Sequence, residues 1–188
     1  MFWKSWFKAS SADESAFLLY RNLVDQARAP QFYLNVGVPD TLDGRFDMIV
    51  LHMVLVIERL STIGATAKGL SQKLFDVMFD DMDQALREIG VGDLSVGKKV
   101  KTMARAFYGR LGAYDEAFQA GTDEAVRAAL KRNVFRDADI APERLDALAG
   151  YTKTVRQTLS DTELGTFASG EVVFPAAPEG VLTVEVRS

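Results

Sequence analysis

The chain has 188 residues, of which 48% are hydrophobic and 26% charged, so it can fold around a sizeable core. The absence of cysteine excludes disulfide scaffolds, iron–sulfur clusters, thiolate zinc sites and thiol nucleophiles. A single histidine, His52, excludes multi-histidine metal sites, and the net charge of -4 argues against a DNA-binding protein. These counts favour a binding protein over an enzyme.

The first third of the chain predicts two helices with a loop between them. Ser11 and Glu14 have the spacing of a capping box, and the apolar positions after them predict a helix over residues 12–28. Residues 31–41 are interpreted as a loop. Residues 43–63 are apolar on nearly every side, which favours a helix buried at the centre of a bundle; a strand in the middle of this run is the alternative.

Two long amphipathic helices are predicted next. Apolar residues recur every three or four positions over residues 70–89, and Gly90 is well placed just past the end of that helix. A second apolar stripe covers residues 96–118, with Ser95 as the expected N-cap and Gly121 as the stop.

The remaining elements complete an all-α fold. Thr122 is expected to cap a short helix to about residue 133, Pro142 to begin another helix, and Ser160 to cap a last turn or two. Beyond Gly170 the sequence predicts a tail that is either free or docked on the domain. We therefore expect one compact domain of six to eight helices, divided into an aromatic and basic segment (1–11), a helical domain (12–169) and a tail (170–188).

An acidic cluster lies on the helix predicted over residues 70–89. Asp76, Asp80 and Asp83 share one helical face with Arg87, which is typical of a solvated surface. Asp81 falls on the apolar side, so it needs an ion pair or a hydrogen bond, most simply with Lys or Arg, or a position at the rim of a groove. One functional alternative is a helical enzyme that acts on a diphosphate or lipid substrate, with at least two aspartates pointing into a deep pocket. Another is a general peripheral membrane adaptor.

The next helix carries five positive charges and no negative one between Leu94 and Tyr114: Lys98, Lys99, Lys101, Arg105 and Arg110. Three of them, Lys98, Lys101 and Arg105, align opposite the apolar stripe, and Gly109 and Gly112 continue the same face. This pattern fits contact with an anionic lipid surface, RNA or an acidic protein, and an ordinary solvated face is the alternative.

The segment over residues 92–99 has the glycine and lysine spacing of a phosphate-binding P-loop. Lys99 stands where a Ser or Thr would hold magnesium, and the segment follows a predicted helix rather than a strand. We interpret it as a loop between helices, with glycines at positive φ.

The N-terminal segment combines aromatic and basic residues and predicts a membrane-surface or partner contact through Phe2, Trp3, Trp6 and Phe7. Packing on the domain and a disordered end are the alternatives. The segment does not have the pattern of a secretory signal, and the longest apolar run is too short to cross a bilayer. His52 and most of the methionines are expected in the core.

Two blocks of sequence resemble the ubiquinol-cytochrome c chaperone family: FYLNVGVPDTLDGRFDMIVLHMVLVIERL and LFDVMFDDMDQALREIGVGDLSVGKKVKTMARAFYGR. The resemblance covers about residues 13–168. It implies an all-helical, non-enzymatic assembly factor for respiratory complex III, a family whose mitochondrial members handle newly made cytochrome b near the ribosome exit together with a small partner protein. The chain resembles a bacterial member, because the extended N-terminal targeting region of the mitochondrial proteins is absent.

The resemblance also implies where partners bind. The partner-binding residues expected from the matching blocks and the basic helix are Asp80, Asp81, Asp83, Lys98, Lys99, Lys101 and Arg105. The expected partner is cytochrome b or another complex III subunit, with an anionic membrane surface and the ribosome as further candidate contacts. We expect no cofactor and no catalytic residue, and a cytoplasmic location peripheral to the inner membrane.

Overall fold

The computed structural model describes residues 11–179, with side chains from residue 13 onward, and this part of the chain is built from helices joined by short loops. The helices are α1 (Ser11–Ala27), α2 (Pro30–Leu34), α3 (Leu42–Ile63), α4 (Lys68–Glu88), α5 (Asp93–Ala120), α6 (Asp123–Asn133), α7 (Pro142–Ser160) and α8 (Leu164–Ala168), with a 3₁₀ turn at Ala65–Ala67. The predicted all-α fold is confirmed.

Helix α3 lies at the centre of the bundle and contacts α1, α4, α5 and α7. Every residue from 46 to 56 is buried, because neighbours surround the helix on all sides. The helix begins where the Thr41 hydroxyl accepts a hydrogen bond from the Gly44 amide at 3.1 Å. Glycine is required at this point, since a Cβ on Gly44 would lie 2.0 Å from the Pro39 carbonyl oxygen. The prediction of a central helix is confirmed, and the alternative strand is wrong.

The segment predicted as a loop over residues 31–41 contains the short helix α2. Pro30 occupies a first-turn position, where its missing N–H needs no partner. The helix places Phe32 fully inside the core, with its ring 4.9 Å from the Tyr151 ring in an edge-on contact. A buried aromatic residue therefore holds a single helical turn inside this connection.

The ends of the later helices follow the predicted signals in part. Gly121 ends α5 with φ of +68°, and the Thr122 hydroxyl caps α6 by accepting from the Ala125 amide at 3.2 Å. Ser95 is not the N-cap of α5, because this helix already begins at Asp93. Ser160 lies in the last turn of α7 and donates to the Gln157 carbonyl, so it does not cap α8.

His52 is a fully buried core residue, as predicted. Its Nδ1 lies 2.8 Å from the Met48 carbonyl oxygen, so this nitrogen donates, and its Nε2 accepts from the Tyr151 hydroxyl at 2.8 Å. Burial lowers the pKa of His52 to about 4, although the hydrogen bond to the Met48 carbonyl by itself raises the pKa. The imidazole is therefore neutral at pH 7.

A buried carboxylate, Asp47, lies on α3 next to Met48 and was not singled out from the sequence. Arg110 on α5 donates to it at 2.6 Å, and Arg136, after α6, donates at 3.3 Å. Burial raises the pKa of Asp47, while the two arginines oppose that shift. Arg110, one of the five positive charges counted on α5, is therefore largely buried and paired, unlike Lys98, Lys101 and Arg105.

Candidate partner-binding face

Helices α4 and α5 form a hairpin joined by the short loop 89–92. Gly90 adopts φ of +83° and donates to the Arg87 carbonyl at 3.0 Å, while the Val91 amide donates to the Leu86 carbonyl at 3.0 Å. This pattern is a Schellman-type helix end. Because the loop is short, the two helices run antiparallel, and the last turn of α4 lies beside the first turn of α5.

The acidic cluster lies along the exposed side of α4. Arg87 donates to Asp83 at 2.6 Å and to Asp93, the first residue of α5, at 2.5 Å, which ties the two helices together. Asp76 accepts a hydrogen bond from Gln72 at 2.9 Å. Asp80 has no hydrogen bond or ion pair to residues 13–179; partial desolvation, then the charges of Asp76 and Asp83, raises its pKa.

Asp81 points away from that cluster, toward α1. It accepts a hydrogen bond from the hydroxyl of the buried Tyr20 at 2.8 Å. Desolvation, strengthened by the Asp81 charge, raises the pKa of Tyr20, so the phenol stays protonated and donates. The expected hydrogen bond is confirmed, but the partner is a tyrosine rather than a Lys or Arg, and Asp81 serves the packing of α1 on α4.

The basic strip, which comprises Lys98, Lys101 and Arg105, lies on the exposed side of α5 as predicted. None of the three forms an ion pair with the part of the chain that the structure describes. At 100° per residue, Leu94 and Tyr108 fall on the same side as the strip. Lys99 is exposed as well, but its spacing places it on another side of the helix. Gly109 and Gly112 are open to solvent, because a Cβ added to either would meet nothing within 4 Å.

An aromatic cluster that was not predicted from the sequence fills the outer seam between α4 and α5. The Phe75 ring lies 4.5 Å from Phe79, 5.4 Å from Phe107 and 5.4 Å from Tyr108. Phe107 is buried, whereas Tyr108 is 57% exposed. The signal in the sequence is the pair Phe75 and Phe79, one helical turn apart and beside the apolar stripe of α4.

We call the surface formed by these groups the α4–α5 face: Phe75, Phe79, Leu94, Lys98, Lys101, Arg105 and Tyr108. On α5 its members are spaced by four, three, four and three residues, so they form one continuous row. Leu94 is fully exposed at one end of this row and Tyr108 half-exposed at the other. The face therefore combines exposed apolar groups with cations, and the Asp76–Asp83 carboxylates lie on the neighbouring α4 side.

The segment with P-loop spacing is not a loop. Its residues from Asp93 onward form the first turns of α5, so the expected turn between helices is limited to residues 89–92. Gly92 has φ of -62°, and Gly97 lies inside the helix, so neither has the positive φ that we expected. Gly90 fills that role instead.

The alternative of a diphosphate enzyme requires at least two aspartates pointing into a pocket. Asp76 and Asp80 are exposed on the outer side of α4, and Asp83 is held by Arg87. A groove of about 240 Å³ lies elsewhere, lined by Arg28, Pro30, Tyr33, Leu34, Asp40 and Arg45. Among the described residues, no group of three acidic or histidine side chains is arranged to hold a metal ion.

The predicted membrane contact cannot be placed on this surface. Phe2, Trp3, Trp6 and Phe7 lie outside the described residues. Within residues 11–179, none of the helices combines the length and the apolar character needed to cross a bilayer.

Comparison with known proteins identifies the family. Residues 34–174 match the family model described as ubiquinol-cytochrome C chaperone. The chain belongs to the ubiquinol-cytochrome c chaperone family. The matched range of this family member runs from the end of α2 to Phe174, so it includes the whole α4–α5 face, and the resemblance noted in the sequence is confirmed.

Relatives of this family member include ubiquinol-cytochrome c reductase complex assembly factor 1 of Mus musculus, which is 28% identical over 145 residues, or 77% of this chain and 49% of the mouse protein. The Xenopus laevis protein of the same description is 26% identical over 163 residues, or 85% of this chain and 80% of its own length. The chain thus spans about half the length of the mouse relative. The crystal structure of the Cbp3 homolog from Brucella abortus matches with a TM-score of 0.79 and 34% identity, covering 96% of this chain and 99% of that one.

Proposed function

We propose that this protein is an assembly factor for ubiquinol–cytochrome c reductase that binds newly made cytochrome b at the membrane surface. Family membership supports the role in assembly. The observation that supports partner binding is the row on α5, where Leu94 and Tyr108 expose apolar surface on either side of three cations that have no described partner. These apolar side chains and cations are therefore free to contact another molecule.

The charges of the α4–α5 face suggest how a client is oriented. Cations lie on the α5 side, and the Asp76–Asp83 carboxylates lie on the α4 side, with the aromatic seam between them. A client segment with an apolar centre would bury against Phe75, Phe79 and Tyr108. Its acidic end would be favoured near α5 and its basic end near α4, because complementary charges select orientation and speed association more than they add affinity.

We infer a binding role without a catalytic step. The one histidine is buried and neutral, and both of its ring nitrogens are engaged in hydrogen bonds. The cations of the α4–α5 face and the carboxylates on the neighbouring side of α4 fit recognition of a partner. We assign no catalytic residue.

A peripheral location at the inner membrane is the second part of the proposal. Phe2, Trp3, Trp6 and Phe7, with the lysines among them, have the composition of an interfacial anchor, in which rings enter the headgroup region and cations meet anionic lipid. Contact with the ribosome through the basic strip is a further proposal, since exposed cations also suit a phosphate backbone.

Crosslinking in native membranes tests the client contact. The tagged protein is isolated from gently solubilised membranes after treatment with a lysine-reactive crosslinker, and the products are identified by mass spectrometry. We expect crosslinks from Lys98, Lys99 and Lys101 to cytochrome b. Lys131 and Lys153, on α6 and α7, are exposed controls that should give few such products. Crosslinks from Lys131 and Lys153 alone, or an absence of complex III subunits, would contradict the proposal.

A further inference from the structure

The segment after α8 lies on the body of the protein although it forms neither helix nor strand. We call residues 171–179 the C-terminal strap. The chain turns into the strap at Gly170, which has φ of +82°. A Cβ on this glycine would lie 2.7 Å from the Leu18 Cβ, so the turn is pressed against α1 and requires glycine. The direction of the strap is therefore set where it leaves α8.

Three carboxamide side chains hold the main chain from Gly170 through the strap. Asn22 donates to the Gly170 carbonyl at 3.0 Å, and Gln26, one turn later on α1, donates to the Pro175 carbonyl at 3.0 Å. Asn35, just after α2, donates to the Pro178 carbonyl at 3.3 Å. All three acceptors are backbone oxygens, so these contacts recognise an irregular chain without reading its side chains.

The floor beneath the strap is apolar and selects side chains by shape. The Phe174 ring packs edge-on against the His52 ring at 5.3 Å, and Ala177 is buried. Val172 and Phe174 pack against the core, whereas Val173 between them is 67% exposed. The floor therefore has one site for an aromatic ring, which Phe174 occupies, and one site for a small side chain, which Ala177 occupies.

Gln26 joins the strap to the centre of the bundle. Besides binding the Pro175 carbonyl, its amide donates to the Tyr151 hydroxyl at 2.9 Å, and that hydroxyl donates to His52 Nε2. Pro175 and Pro178 have no backbone N–H, so they leave no buried donor unpaired beside a surface that itself supplies donors. The surface thus matches a proline-containing segment in both hydrogen bonding and shape.

We propose that the surface under the strap is a peptide-binding groove for non-helical apolar segments in which an aromatic residue precedes proline, and that the chain's own strap occupies it until a client segment takes its place. The strap is held by hydrogen bonds to its carbonyls and by apolar packing. Its acidic residues, Glu171 and Glu179, are exposed and form no ion pair with residues 13–179. This inference rests on the proposed chaperone function, and it gives the client a second point of contact besides the α4–α5 face.

Binding of a strap peptide to the full chain tests this groove. A fluorescent peptide with the sequence of residues 171–179 is titrated into the wild-type protein and into Phe174→Ala, and anisotropy is measured. Phe174→Ala weakens the strap but leaves the groove intact, so we expect it to bind the peptide about tenfold more tightly than wild type does. Adding Gln26→Ala to Phe174→Ala should reduce that affinity, and a peptide with alanine in place of its phenylalanine should bind about tenfold more weakly.

Hydrogen exchange of the unaltered chain provides a second measurement that does not depend on a variant. Saturating strap peptide should speed the exchange of the Glu171 amide, which donates to the Thr166 carbonyl at 3.1 Å, because the strap is displaced. Unchanged exchange, or equal affinity for the strap peptide and its phenylalanine-to-alanine variant, would overturn the proposal of a peptide-binding groove. Neither readout involves complex III, so a negative result here is distinct from a failure of the assembly function.

Discussion

The interior around α3 and the α4–α5 face use charged residues in opposite ways. In the interior, Asp47 meets two arginines, and His52 meets a carbonyl and a hydroxyl. On the α4–α5 face the side chains of the basic strip have no partner among the described residues, and neither does Asp80 on the neighbouring side of α4. A buried charge without a partner is costly, whereas exposed groups left unpaired remain available to another molecule. Changes in the first region should therefore alter stability, and changes in the second should alter binding.

The largest loss of stability is expected from Asp47→Ala. This change leaves Arg110, whose side chain is only 17% exposed, without its anion, and removal of one partner from a buried pair typically costs about 3–5 kcal/mol. Asp40→Ala is the matched control, because Asp40 pairs with Arg45 on the surface, and its loss should cost far less stability than the loss of Asp47. Urea unfolding measures both. Equal losses of stability in the two variants would contradict the larger contribution expected from the buried pair.

His52 makes stability depend on pH. Its pKa is about 4 in the folded protein and near 6.5 when unfolded, so the unfolded chain binds the extra proton first as pH falls. Stability from this group is full above pH 6.5 and is lost as pH falls toward 4, by about 3 kcal/mol in total. The difference between the unfolding free energies of wild type and His52→Gln should change by about 3 kcal/mol between pH 7.5 and 4. Parallel curves would contradict the assignment of a neutral buried imidazole.

Asp80 and Asp81 are neighbours with opposite expected effects. Asp81→Ala removes the acceptor of the buried Tyr20 hydroxyl and should destabilise the fold by about 2 kcal/mol. Asp80→Ala should be neutral or slightly stabilising, since it removes a charge repelled by Asp76 and Asp83. Denaturant midpoints compare the two variants directly. A greater loss of stability from Asp80→Ala than from Asp81→Ala would contradict the structural role assigned to Asp81.

Two buried tyrosines provide a smaller contrast inside the core. The Tyr151 hydroxyl bonds to His52 and Gln26, whereas the Tyr114 hydroxyl is buried without a hydrogen-bond partner among the described residues. Tyr151→Phe should cost about 1 kcal/mol, and Tyr114→Phe should be neutral or stabilising by up to about 1 kcal/mol. Thermal unfolding of both variants tests this pair. Destabilisation by Tyr114→Phe would mean that its hydroxyl has a partner after all.

Local signals in the sequence were sufficient for most of the fold. The all-round apolar pattern of α3 predicted its central position, and Thr122 and Gly121 predicted the boundary between α5 and α6. These features depend on residues a few positions apart. The short helix α2 was not predicted, because it is stabilised by the burial of Phe32 rather than by a strong local helix signal.

The candidate site was less predictable, because partners distant in sequence decide which charges remain free. Asp47 and Arg136 are 89 positions apart, and Tyr20 and Asp81 are 61 apart. From sequence alone, Arg110 looked like another member of the basic run, and its pairing with Asp47 became evident only when α3 and α5 were packed together. The strap likewise depends on contacts between α1 and a segment about 150 residues later.

Complex III content in cells that lack the native protein tests the central claim most directly. The cells are complemented with wild type, with Lys98→Glu, Lys101→Glu and Arg105→Glu combined, or with the control Lys131→Glu and Lys153→Glu, at matched protein levels. All of these side chains are exposed, so each protein should fold normally. We predict that wild type and control restore cytochrome b haem absorbance and ubiquinol–cytochrome c reductase activity, whereas the strip variant gives about tenfold less. Full restoration by the strip variant would contradict the role of the α4–α5 face.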